Sequence, residues 1–226
     1  MMPGLTTNNR IWYSPPMQTH DSDALIVVDV QNDFCPGGAL AIRDGDAVVP
    51  VINRLARAFK HVIITQDWHP AGHMSFASQH PGKKPYESFI SAYGPQELWP
   101  DHCVQNTPGA AFHRDLDIPH AELILRKGAD RKIDSYSAFI ENDQDTKTGL
   151  AAYLHERGVA RLFLAGLAYD FCVLYSAADG RREGFVCHVV ADGCRSVDVN
   201  GSRAAADERY ADSQVTMLSS DDFETL

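Results

Sequence analysis

Ala24-Leu-Ile-Val-Val-Asp-Val30 is the stretch on which the fold turns. It reads as a short strand with one carboxylate, Asp29, at its end. Further runs of the same kind follow: His61-Val-Ile-Ile-Thr65, Leu123-Ile-Leu-Arg-Lys127, Arg161-Leu-Phe-Leu-Ala-Gly166, Cys187-His-Val-Val-Ala191 and Gln214 to Leu218. Helices are predicted between them. One covers about Asp46 to Phe59, where Val48, Val49, Ile52, Leu55 and Phe59 recur near helical spacing. Others cover about Thr148 to Arg157, with Gly158 as the stop, then Cys172 to Glu183, and Ser202 to Tyr210. Strands joined by helical crossovers predict an α/β fold: a doubly wound, mainly parallel six-stranded sheet flanked by helices on both faces.

In such a sheet ligands bind outside the carboxyl ends of the strands. Each chemistry-bearing cluster of this chain falls there. Asp29 ends its strand, Asp67 and His69 follow Thr65, Lys127 closes its run, and Cys172 comes shortly after Gly166. The stretch from Gln66 to His120 is long, poorly periodic and rich in His, Pro, Gly and Trp. Structureless loops beyond about 15 residues are usually functional or disordered, and this concentration of His and Trp favours function.

Composition bounds the rest. A chain of 226 residues is ordinary for one α/β domain. Residues 1–22 read as an N-terminal tail or wrapping arm and 23–226 as a single domain. The net charge of −10 argues against nucleic acid or an anionic membrane as a partner, because both need Lys and Arg. No apolar run approaches the roughly 20 residues of a membrane helix, and no signal core is visible. Cys35, Cys103, Cys172, Cys187 and Cys194 are odd in number and unpatterned, which suits a reducing, cytoplasmic setting and argues against a disulfide framework. A homo-oligomer is neither required nor excluded.

Cys172 stands apart from the other cysteines. A lone Cys in an apolar stretch is ordinarily a small core residue. At the start of a helix, however, free N–H groups and the helix dipole stabilise a thiolate and face any oxyanion formed beside it. Asp29 within an apolar strand is expensive to bury unpaired, so its alternatives are an exposed strand end or a general base beside the thiol. Lys127 supplies the neighbouring cation, and together they make a Cys–Lys–Asp set able to activate a nucleophile. Asp67-Trp-His69 places two ligand-type side chains on one side of an extended segment. A third ligand from His73 or His102 would suit a divalent ion with open positions; spacing alone does not choose between them. Phe34, Trp68, Trp99 and Tyr136 fall in rim loops, where packing and a flat aromatic substrate are the competing explanations.

Asp29-Val-Gln-Asn-Asp-Phe34, Gln66-Asp-Trp-His-Pro70, Trp99-Pro-Asp-His-Cys103, Lys127-Gly128 and Gly166-Leu-Ala-Tyr-Asp-Phe-Cys-Val173 together resemble the nicotinamidases among the isochorismatase-like cysteine hydrolases. The resemblance spans about Asp23 to Leu218, with the motifs in the family's order. It implies Cys172 as nucleophile, Asp29 as base and Lys127 as the cation beside them. It implies Asp67, His69 and His102 as metal ligands, with His73 in reserve. Phe34, Trp99, Tyr136 and Ala168 would line the substrate pocket. A cis Leu167–Ala168 peptide would turn the Ala168 N–H, with that of Cys172, towards an oxyanion. The activity implied is hydrolysis of nicotinamide to nicotinate and ammonia through a cysteine thioester, in NAD salvage, with pyrazinamide-like analogues also accepted. The cofactor implied is a divalent metal, Zn2+ before Fe2+ or Mn2+, holding the pyridine ring, and no organic cofactor. Relatives that act on carbamoyl or other small amides keep the Cys–Lys–Asp set but commonly lack the metal motif, which Asp67, His69 and His102 supply here. Isochorismate hydrolases lack the nucleophilic Cys. A non-catalytic module or a peroxide-sensing thiol protein would not need the full set.

Overall fold

The computed structural model describes residues 16–223. A six-stranded sheet has the order β5-β2-β1-β6-β7-β8: β1 Asp23–Val28, β2 His61–Asp67, β5 Leu123–Lys127, β6 Arg161–Leu167, β7 Val186–Arg195 and β8 Thr216–Leu218. Every neighbouring pair in it is parallel. The chain steps outward from β1 to β2 and β5, then returns to β6 on the other side of β1. That reversal is the topological switch point, where the two neighbouring crossovers diverge and leave a crevice.

The α-helices among the described residues are α1 Val48–Ala56, α2 Leu150–Glu156, α3 Leu174–Arg182 and α4 Ser202–Asp212. Neighbouring residues of β6 show that α1 and α3 lie on opposite faces. Leu162 lies against Gly180 of α3, whereas the next residue, Phe163, meets Phe59 just beyond α1 with ring centroids 5.1 Å apart. Successive strand side chains point to opposite faces, so β6 is covered on both. All residues of β1 are buried, as a central parallel strand requires.

The predicted strands and helices are present with shifted ends. β7 runs on to Arg195, past the expected Ala191, after a register shift opposite β6 between Leu164 and Gly166. The segment from Cys172 to Glu183 is not one helix. A wide turn with π-type bonding covers Tyr169–Val173, and α3 begins only at Leu174. The long stretch before residue 120 also holds an unforeseen antiparallel hairpin, β3 Ser88–Ser91 and β4 Gly94–Glu97. Its Gly94 and Pro95 are poor strand residues, and most of its side chains are at least partly exposed, so it lacks a periodic apolar signature. Of the expected N-terminal arm, residues 1–15 lie outside the described residues. Met17 N–H donates to the Asp222 carbonyl at 2.6 Å and Thr19 Oγ1 to the Ala58 carbonyl at 2.6 Å. All five cysteines are free. Among the described residues no helix is long and apolar enough to cross a membrane.

Gly166 closes the switch point. Its φ is +141°, and a Cβ placed on it would sit 2.1 Å from the Val28 carbonyl oxygen of β1. Gly158, with φ +70°, has open space around it. Gly166→Ala should therefore lower unfolding free energy in urea by roughly 3 kcal/mol. Gly158→Ala should lower it by only about 1 kcal/mol, the strain of a left-handed alanine. Equal losses would show that the close approach of β1 and β6 is not what requires Gly166.

Candidate active site

The β2–β5 register sets Asp67 directly beside Lys127 at the carboxyl ends of both strands. Lys127 is fully buried. Its Nζ lies 2.8 Å from Asp29 Oδ2 and 2.8 Å from Asp67 Oδ1, and it donates to the Ser135 carbonyl at 3.0 Å. Cys172 Sγ is 3.5 Å from the same nitrogen. Asp29 follows β1 with a left-handed φ of 48°, a conformation Asp tolerates better than most residues. The Thr65 hydroxyl donates to Asp29 Oδ1 at 2.6 Å. The sheet thus brings Asp29, Lys127 and Cys172 together from three different strand ends.

Burial alone would push the Lys127 ammonium towards neutrality, but the Asp29 and Asp67 carboxylates outweigh it and raise its pKa well above the usual value. Burial opposes ionisation of Asp67 too, yet His69, Lys127 and the imidazole hydrogen bonds hold its carboxyl well below the ordinary range. For Cys172 the balance goes the other way. Burial comes first, Asp29 and Asp67 add to it, and Lys127 offsets only part, so the thiol is held well above its ordinary pKa. This balance favours the protonated sulfur over the thiolate that a helix start alone would favour. Cys172 sits within the wide turn ahead of α3. The expected cis Leu167–Ala168 bond is also absent: among the described residues every peptide is trans, and the chain turns through a left-handed Ala168, φ 58° and ψ 62°.

A second cluster adjoins the first through Asp67. Its Oδ2 lies 2.9 Å from His69 Nε2 and 3.2 Å from His102 Nε2. His69 Nδ1 is held by the Gly128 carbonyl at 3.0 Å, and His102 Nδ1 by the Pro100 carbonyl at 2.8 Å. Each Nδ1 is thereby held by a backbone carbonyl while each Nε2 faces the carboxylate, the ring orientation metal-ligating imidazoles adopt. Donor type and convergence both fit a divalent cation on Asp67, His69 and His102. His73 belongs to an overlapping group with His69 and Asp134. Its Nδ1 is 2.8 Å from Ser75 Oγ and its Nε2 3.1 Å from the Ile133 carbonyl, so both nitrogens already have protein partners.

Above these clusters lies a small, partly open cavity. Phe34, Trp99, Tyr136 and Ala168 line it as expected, together with Cys172. The Tyr136 hydroxyl accepts from Trp99 Nε1 at 3.1 Å and Gln96 Nε2 at 3.0 Å. Burial raises its pKa well above the ordinary phenol value. Trp68 is not part of this wall; the Arg126 guanidinium stacks over its ring at 3.9 Å. Cys103 is buried outside the cavity, its N–H bonded to Asp33 Oδ2 at 2.8 Å. The sequence reading missed Thr65, Gln96, Asp134, Ser135 and Phe171. Thr65 was visible as the end of a strand, but nothing local told which residue its hydroxyl would meet.

The model of the isochorismatase domain matches residues 23–222. The chain belongs to the isochorismatase family. Among its relatives, the nicotinamidase of Acinetobacter baylyi is 50% identical over 204 residues, covering 90% of this chain and 95% of that protein. A solved nicotinamidase/pyrazinamidase of Acinetobacter baumanii superposes with a TM-score of 0.90 at 49% identity, covering 91% of this chain and 99% of that one. A pyrazinamidase of Pyrococcus horikoshii, solved in complex with zinc, gives a TM-score of 0.71 at 33% identity, covering 88% and 99% respectively. This isochorismatase-family chain thus shares its six-stranded fold with amidases over nearly their whole length.

The charge balance around Lys127 yields a stability test. Lys127→Met would leave two buried carboxylates facing one another, and breaking a buried pair costs roughly 3–5 kcal/mol. The expected outcome is a loss of that size in urea unfolding at neutral pH. Because the folded Asp67 pKa is depressed, its stabilising contribution is complete above the ordinary carboxylate value near 4 and is lost as pH falls below it. The gap between wild type and variant should therefore narrow in acid. A gap independent of pH would mean that the carboxylates are not what the ammonium holds.

Proposed function

We propose that this chain is a nicotinamidase, hydrolysing nicotinamide to nicotinate and ammonia in NAD salvage, with Cys172 as nucleophile. The observation that carries the reading is the pairing of a buried Cys–Lys–Asp set with an aromatic-walled cavity and an Asp–His–His donor set. The names of the related amidases support the same substrate.

The steps follow from the side chains present. The substrate ring lies among Phe34, Trp99 and Tyr136, with the carboxamide carbon beside Cys172 Sγ. Because the resting sulfur is protonated, attack needs a base, and Asp29 takes the thiol proton as the S–C bond forms. The carbonyl π electrons move to oxygen, and the backbone N–H of Cys172 holds the oxyanion; with the Leu167–Ala168 peptide trans, the Ala168 N–H is given no role. As it collapses, the C–N bond breaks and Asp29 returns the proton to nitrogen, releasing ammonia and leaving a thioester. Asp29 then takes a proton from water. The resulting hydroxide adds to the thioester carbon, sulfur leaves and takes the proton back from Asp29, and the nicotinic acid formed gives up its carboxyl proton to water as it departs as nicotinate. Lys127 stays protonated throughout and holds Asp29 in place. Asp67, His69 and His102 would hold a divalent ion, zinc by the donor set, and when bound it supplies a Lewis-acid site for the pyridine nitrogen that positions the ring.

Ammonia release from nicotinamide is the primary test, made on the protein as isolated and after chelation. Turnover should fall on stripping and return with a divalent metal. No release with metal present and thiol reduced overturns the reading. Cys172→Ala should abolish release while the substrate still binds, whereas Cys103→Ala should keep it. Loss in Cys103→Ala beside retention in Cys172→Ala would reverse the assignment of the nucleophile. Asp67→Ala should lower the bound metal measured directly, and raise KM or lower kcat.

A further inference from the structure

Beside the active-site cavity runs a second, more open groove of about 290 Å³ with a mixed wall: Leu174, Tyr175, Val199 and Ala206 are apolar, Glu97 and Arg209 charged. Phe171 is the one residue that lines both spaces. Its ring stands edge-to-face against Trp99, 4.8 Å away at 89°, and against Tyr136, 5.5 Å away at 67°. These contacts fix the ring from the cavity side, as aromatic pairs of this geometry do. On the groove side the next residues, Leu174 and Tyr175, continue the wall.

We infer that Phe171 is a specificity-determining residue: its ring is the partition that confines the site to single-ring carboxamides, and the groove behind it has the size, and on the Leu174–Tyr175 side the apolar wall, to take a second ring. The inference rests on the proposed amidase reading. The backbone on either side of Phe171 is held independently of its ring. Asp170 accepts from Val197 N–H at 2.9 Å, Asp198 N–H at 2.8 Å and Ser202 Oγ at 2.5 Å. The Ala168 carbonyl accepts from Phe171 N–H at 2.9 Å and Val173 N–H at 3.1 Å. Truncating the ring therefore removes the partition without releasing the turn that carries Cys172.

The test compares kcat/KM for nicotinamide with that for nicotinamides carrying one phenyl group at each ring carbon in turn. In Phe171→Ala, at least one phenyl-substituted amide should gain roughly tenfold or more, while nicotinamide loses no more than about tenfold, the scale on which apolar pocket changes discriminate. Phe171→Leu should shift selectivity the same way by less, and it carries the test if the alanine variant does not fold. Selectivity unchanged in a folded variant that still turns over nicotinamide overturns the partition. A wild-type protein that releases no ammonia from nicotinamide overturns the amidase reading instead, so the two failures are distinguishable.

Discussion

The structure depends on one buried ammonium. Lys127 Nζ has no exposure and touches two carboxylates, each at 2.8 Å. Charges taken out of water are held only when paired and hydrogen-bonded. His69, 2.9 Å from Asp67, is the other group in this dry pocket able to carry a balancing charge: burial disfavours it and Asp67 more than makes up the difference. Burial first, and the two carboxylates after it, hold the Cys172 thiol above its ordinary pKa, so in the proposed mechanism the same Asp29 that helps to raise it is the group that removes the proton. A cation on Asp67 Oδ2 would act on this balance from the opposite side. Base, cation and metal ligand are therefore one electrostatic unit, with Asp67 belonging to both of its halves.

Three of the ten non-glycine residues with positive φ among the described residues lie beside that unit. Asp29, Cys103 and Ala168 all adopt left-handed φ, at 48°, 46° and 58°. Non-glycine residues there cost of order 1–3 kcal/mol each and persist where the surroundings over-determine them. Asp29 is tied through Thr65 and Lys127, and Cys103 through its N–H to Asp33. Ala168 follows the glycine that lets β1 and β6 approach. The close approach and the turn after it deliver Cys172 to the end of β1, where Asp29 waits.

How much of this was legible followed from where each residue lies. Parallel strands put their carboxyl ends on one rim, so Asp29, Asp67, Lys127 and Cys172 could be assembled from strand order alone. The register that sets Asp67 beside Lys127 strengthened what periodicity already implied. Loop residues were legible only through motif resemblance, as for His102, or not at all. Asp134, Ser135 and Phe171 act through contacts with distant segments, and no local pattern encodes those. The cis bond expected from the resemblance gave way to a left-handed Ala168, and the expected single helix at Cys172 divided into a wide turn and α3. Helical periodicity gives the face on which residues lie, not the point where regular bonding begins.

The wall of the pocket is built differently from its floor. The chemistry stands on the ends of buried strands, whereas recognition is assembled from crossovers. Gln96, on the hairpin that periodicity concealed, donates to Asp134 Oδ2 at 2.6 Å and to the Tyr136 hydroxyl at 3.0 Å, and its Oε1 accepts from Tyr93 and Asn142. A buried amide satisfied on both sides fixes its neighbours more firmly than an apolar contact, because each lost bond leaves a desolvated partner. Through it the hairpin connects the wall beside His69, where Asp134 lies, to the aromatic wall of Trp99 and Tyr136. A change of loop sequence can thus reshape what the cavity admits while the charges at the sheet ends keep their positions.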